Sequence, residues 1–122
     1  MVLKAFFFSN DMKGEVMNIG DLAENLGLEE AEYLELLELF IETGMSDLEK
    51  LQSAISSGDS GQARGSVHSL KGAAGNIGLM EIYDLAKEIE KKAIDGQLET
   101  ISEASNELKK KLESLTEFLQ RG

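Results

Sequence analysis

The sequence predicts an all-α protein: an antiparallel up-down-up-down four-helix bundle with a short N-terminal helical extension. Three observations predict it. Proline is absent from all 122 residues, so no helix interior is obliged to kink or stop. Leu, Glu, Lys and Ala, all good helix formers, are abundant,. Apolar residues recur at alternating spacings of three and four over four stretches joined by very short glycine-containing turns, which makes antiparallel neighbours the natural arrangement. A chain of this length builds one core. We read residues 1–27 as a strap and short helix capping the bundle and residues 28–122 as the bundle itself, with no internal repeat and no second domain.

In chain order, Val2, Leu3 and the run Ala5 to Phe8 form a short apolar segment interrupted by Lys4. It is too short to span a bilayer and lacks the small-residue cleavage site of a secretory signal. It is expected to be a short helix or strap whose phenylalanines cover one end of the bundle. Asn10 to Asn18 reads as a loop, with Gly14 its most permissive point. Asp21 to Gly27 carries a miniature helix signal: Asp21 as N-cap, Glu24 three residues later, Gly27 as the stop. From Glu29 a long helix begins. Leu34, Leu37, Ile41, Met45, Leu48, Leu51 and Ile55 keep one face apolar, with Gly44 its one weak spot. Ser57 to Ser60 form a turn, Gly58 suiting the left-handed C′ position and Asp59 or Ser60 the next N-cap. Beyond Gly78, itself a helix stop, Leu79, Ile82, Ala86, Ile89 and Ala93 mark another helix that Gly96 ends. Leu98, Ile101, Ser105, Leu108, Leu112, Leu115 and Leu119 mark the last, with one polar residue, Ser105, in its stripe.

The segment Ala63 to Leu79 holds the only histidine of the chain, His68. Ala63, Val67, Leu70, Ala74 and Ile77 form the apolar stripe of a helix packed in the bundle. At about 100° per residue, His68 points roughly 140° away from the centre of that stripe. Its side of the helix is shared by Gly65, Gly72 and Gly75, with Gly61 further back. Each interior glycine costs roughly 1 kcal/mol relative to alanine, against a total domain stability of about 5 to 15 kcal/mol. Glycines retained at that cost are explained by close approach of another protein surface, centred on His68. Lys71, one turn on, and Arg64, one turn back, can bring cations towards the ring. An exposed nucleophilic imidazole flanked by cations suits a phosphoryl group better than a metal.

The run His68-Ser-Leu-Lys71-Gly72-Ala-Ala-Gly75-Asn-Ile-Gly78-Leu79 resembles the signature of histidine-containing phosphotransfer (HPt) domains. The likeness extends as a pattern of helices over roughly Leu28 to Leu119. It implies a four-helix bundle whose exposed histidine shuttles phosphoryl groups to and from aspartates of response-regulator receiver domains, in pathways fed by sensor histidine kinases. It also implies that the chain needs no cofactor of its own, Mg²⁺ belonging to the receiver partner. In that reading neutral imidazole attacks an aspartyl phosphate in line through the solvent-facing nitrogen, expected to be Nε2. Lys71 lowers the cost of two negative groups meeting and steadies the phosphoryl once it has moved, with Arg64 in a similar role. The protein is then a cytoplasmic phosphocarrier without autonomous kinase activity, expected to be a monomer because the bundle is complete by itself.

Two other readings stand beside this one. The same motif fits the N-terminal phosphodonor domain of a chemotaxis-type histidine kinase, and a helical adaptor that is never phosphorylated would use only its acidic surface. Other classes are excluded. A net charge of −11 opposes binding to nucleic acid and to anionic membrane. The absence of cysteine removes disulfide frameworks and thiolate metal sites. One histidine cannot supply the paired ligands of a di-iron bundle. No calcium loop, phosphate-cradling glycine loop or oxyanion-hole signature accompanies Ser66 or Ser69. The glutamates of residues 29–42 and 103–117 are solvated helix faces.

Overall fold

This computed structural model describes residues 5–7 and 16–121. Two three-residue strands, β1 (Ala5–Phe7) and β2 (Val16–Asn18), pair antiparallel with Phe6 opposite Met17. The expected N-terminal strap and loop are thus corrected in part to a small ladder. Aromatic and β-branched residues favour extended backbone, and three residues are too few to nucleate a helix. The proposed cover by the phenylalanine side chains, and the loop around Gly14, lie outside the described residues.

Helix α1 (Ile19–Asn25) follows directly. Asn18, not Asp21, is its N-cap: the Asp21 amide donates to Asn18 Oδ1 at 3.3 Å. Starting the helix earlier puts Ile19 and Ala23 one turn apart, both buried in the common core, and leaves Asp21 in the first turn, where the helix dipole favours an acid. Gly27 ends the segment with φ +71°.

Helix α2 (Glu30–Ser57) is capped by Glu29, whose amide donates to Glu32 Oε1 at 3.0 Å. Its buried face is wider than the expected stripe. Leu37, Ile41, Leu48 and Leu51 are buried as expected, Leu34, Met45 and Ile55 are half-buried, and Tyr33, Phe40, Gly44 and Ala54 join the interior. The cause is that α2 packs against the histidine-bearing helix α3 (Ser60–Asn76) on one side and the last helix α5 (Ile101–Arg121) on the other, so one row of apolar residues does not suffice. Gly44 marks the crossing with α5: a Cβ there would lie 3.4 Å from Leu112 Cδ2.

Helix α3 (Ser60–Asn76) opens at Asp59, whose Oδ1 accepts the Gln62 amide at 3.0 Å. Helix α4 (Met80–Ile94) buries Ile82, Ala86, Ile89 and Ala93 as the spacing predicts. Leu98–Thr100 form a separate 3₁₀ turn, so α5 runs from Ile101 to Arg121 and begins later than its periodicity predicts. Contacts pass round a ring from α2 to α3, α4, α5 and back to α2, the arrangement of an up-down-up-down bundle. Lys111 of α5 donates to Glu81 Oε1 of α4 at 2.8 Å, a largely buried tie between the last two helices. Ser105, the polar break in the α5 stripe, is also buried.

Candidate functional site

The stripe of Ala63, Val67, Leu70 and Ala74, with Ile77 at the C-cap, faces the core, which fixes how α3 is rotated. His68 is thereby turned outward, with 64% of its side chain exposed. A tether at the C-terminal end holds that rotation. The Tyr33 hydroxyl donates to the Ile77 carbonyl at 2.6 Å inside the core. Burial pushes the Tyr33 phenol up to about 12, keeping it a neutral donor at any physiological pH.

Helix α4 brings the residue that the sequence reading overlooked. Glu90 Oε2 lies 2.6 Å from His68 Nδ1, and Glu90 Oε1 accepts from Lys71 Nζ at 2.6 Å. The carboxylate is 11% exposed and the lysine 21%. The Lys71 hydrogen bond is the main cause holding the Glu90 carboxyl below its ordinary range; burial opposes it, and the contact with His68 adds to it. An ionised carboxylate only accepts hydrogen bonds. Nδ1 therefore carries the proton in the neutral ring, and the lone pair is on Nε2. A signal for Glu90 was present in the sequence. It lies four residues after Ala86 and three before Ala93, a charge on the edge of an apolar row.

The predicted site residues separate under this geometry. Lys71 is brought to the site, but it grips Glu90 rather than standing bare beside the ring. Arg64 is exposed one turn before His68, and the ion pairs among the described residues do not include it. A Cβ on Gly65 or Gly72 would meet nothing within 4 Å, so both leave open space beside His68. Gly75 differs and is corrected. A Cβ there would lie 3.1 Å from Tyr83 Cδ1 and 3.3 Å from Cε1, so its lack of a side chain serves the packing of α4 on α3. Gly78 adopts φ +79° just past α3, as a helix stop requires. Ser66 donates back to the Gln62 and Ala63 carbonyls of its own helix and is not aligned with His68 as a nucleophile. Among the described residues, no group of three or more His, Cys, Asp or Glu is placed to hold a metal ion, and no helix is long and apolar enough to cross a membrane.

Comparison with curated proteins and with solved structures yields no match. A family model described as the Hpt domain matches residues 35–118. That span covers more than half of the chain, runs from the first turns of α2 almost to the end of α5, and includes His68, Lys71 and Glu90; the chain belongs to the Hpt domain family.

Proposed function

We propose that the protein is a phosphorelay carrier that holds a phosphoryl group on His68 Nε2 and exchanges it with aspartates of response-regulator receiver domains. The single observation carrying this reading is the contact of Glu90 with His68 Nδ1 at 2.6 Å. It favours the tautomer whose outward nitrogen carries the lone pair, which supports Nε2 as the nucleophile. The Nε2 lone pair attacks the phosphorus of an aspartyl phosphate, the N–P bond forms, and the P–O bond breaks with its electron pair leaving on the aspartate carboxylate. The Nδ1 proton stays in place. The ring becomes cationic as the bond forms, and the Glu90 carboxylate lies against that charge. The reverse step returns the phosphoryl group by the same geometry.

Lys71 acts first through Glu90, keeping the carboxylate ionised, and one helical turn from the ring it is also within reach of phosphoryl oxygens. Arg64 adds positive charge to the approach. Gly65 and Gly72 give the partner room. The receiver supplies Mg²⁺, and sensor kinases load the relay upstream, which places the carrier in the cytoplasm with its partners. It acts as a monomer and makes no phosphate bond from ATP by itself.

The test is to incubate the protein with phosphorylated receiver domains, and separately with kinase ATP-binding domains plus ATP, and to follow acid-labile label by intact mass with His68→Gln as control. Label from a receiver, lost in His68→Gln, is the expected result. Label from a kinase domain only assigns the chain to the phosphodonor class of chemotaxis-type kinases. No label from either source, or relay retained in His68→Gln, overturns the proposal.

A further inference from the structure

Resting on the carrier reading, we infer that the partner docks off-centre on His68, over a patch formed by Ile94 with Arg64, Gly65 and Lys91, and that the partner surface it fits is an apolar side chain ringed by carboxylates. Helices α3 and α4 run antiparallel, and three contacts give their register. Tyr83 meets Gly75, Glu90 meets Lys71, and Glu90 meets His68. Tyr83, Glu90 and Ile94 occupy one row of α4, successive members seven and four residues apart. Gly75, Lys71, His68 and Arg64 occupy the facing row of α3. One turn beyond the Glu90–His68 contact, the register brings Ile94 alongside Arg64 and Gly65.

Ile94 is 61% exposed, the most exposed of the large apolar residues among those described. On the α3 side, nothing lies within 4 Å of a Cβ on Gly65. An isolated exposed isoleucine is unremarkable, but here the register sets it one turn from the reactive ring and beside an open shelf of backbone. An apolar centre in a charged rim is the usual anatomy of a docking surface. The charge distribution identifies the occupant. In a chain of net charge −11, α3 carries Arg64 and Lys71 and no carboxylate. Lys87 and Lys91 are exposed on α4 at about 60° and 100° round the helix from Glu90, and the acidic Asp84, Asp95 and Glu88 follow at about 120° to 160°, further from α3,. A partner with acidic groups around an apolar contact is drawn to this patch and repelled by the acidic α2 face.

The probe set is a panel of phosphorylated receiver domains, and phosphoramidate serves as a small donor that needs no docking surface. The measurement is the ratio of labelling rates from receiver and from phosphoramidate, for the wild type and for Ile94→Ser, Arg64→Glu and Lys91→Glu, each checked by its melting curve. The substituted side chains are exposed. We expect at least a tenfold fall in the ratio for Ile94→Ser, and a similar fall for Arg64→Glu with a flatter salt dependence. Ratios within twofold of wild type for all three variants overturn the docking inference and leave the carrier reading intact. Phosphoramidate labelling of His68 without labelling from any receiver overturns both. A wild-type dimer that Ile94→Ser converts to monomer, with the ratio unmoved, assigns the patch to a second copy and likewise overturns the inference.

Discussion

Replacing Glu90 by Gln changes one atom and inverts the hydrogen-bond logic of the site. In the native arrangement both carboxylate oxygens accept, one from His68 Nδ1 and one from Lys71 Nζ, each at 2.6 Å. Glutamine offers one acceptor and one donor group. The Lys71 ammonium can only donate, so it takes the amide oxygen and leaves the NH₂ facing Nδ1. The ring satisfies that donor by moving its proton to Nε2, which removes the lone pair needed for attack. Restoring the reactive tautomer then forfeits a charge-assisted hydrogen bond of about 1.5–3 kcal/mol, equivalent to a rate loss of about 10- to 150-fold at 1.36 kcal/mol per decade. The assay is phosphoramidate labelling of His68 followed by intact mass, with ¹⁵N imidazole shifts reading the tautomer. A double-mutant cycle sharpens it. In Glu90→Gln with Lys71→Met the amide is free to rotate its oxygen towards Nδ1, and part of the lost rate should return. Wild-type labelling in Glu90→Gln, or an unchanged tautomer, would refute the reasoning.

Three further outcomes follow from the same geometry. Tyr33→Phe leaves the buried Ile77 carbonyl without its donor and should cost about 1–3 kcal/mol in urea unfolding. Because the native phenol titrates at about 12 against an ordinary 10, its contribution is full below pH 10 and is lost as pH rises towards 12, a slope that Tyr33→Phe should remove. Gly72→Ala should gain roughly 1 kcal/mol from helix propensity. Gly75→Ala should gain clearly less, because the new methyl presses on the Tyr83 ring, and equal gains would show that the ring yields freely. The Glu90 carboxyl is held low, so its stabilisation is present above the ordinary glutamate range and lost as pH falls through the native value. An acid titration of stability should therefore be shallower in Glu90→Gln than in wild type, and matching slopes would deny the coupling.

The helices were legible because their spacing is a direct image of burial. The stripes of α3 and α4 lie in the core residue for residue, and the Asp59 cap and the positive-φ glycines at 58, 78 and 96 fall where turn chemistry puts them. His68 was legible for the converse reason, as a chemically distinctive residue off the stripe. What periodicity missed depends on distance along the chain. Glu90 lies 22 residues from His68, and no local pattern states that two helix faces meet there. Gly75 looked like its neighbours Gly65 and Gly72, since spacing alone does not reveal that an aromatic ring from α4 fills the space beside it. The N-cap of α1 was misassigned because Asn18 and Asp21 are both competent caps, and the choice was made by burial of Ile19 and Ala23.

The Tyr33 tether also bears on where the working unit ends. The family match begins at residue 35, yet the phenol that holds the end of the histidine helix lies two positions upstream, and Ile19 and Ala23 lie further back in the same interior. A segment excised at the match boundary would keep His68, Lys71 and Glu90 while leaving the Ile77 carbonyl unpaired and a tyrosine-sized void in the core. For transplanting this Hpt domain into another protein, the portable module therefore begins before α1, and the recognisable signature is shorter than the piece of chain that keeps it in register.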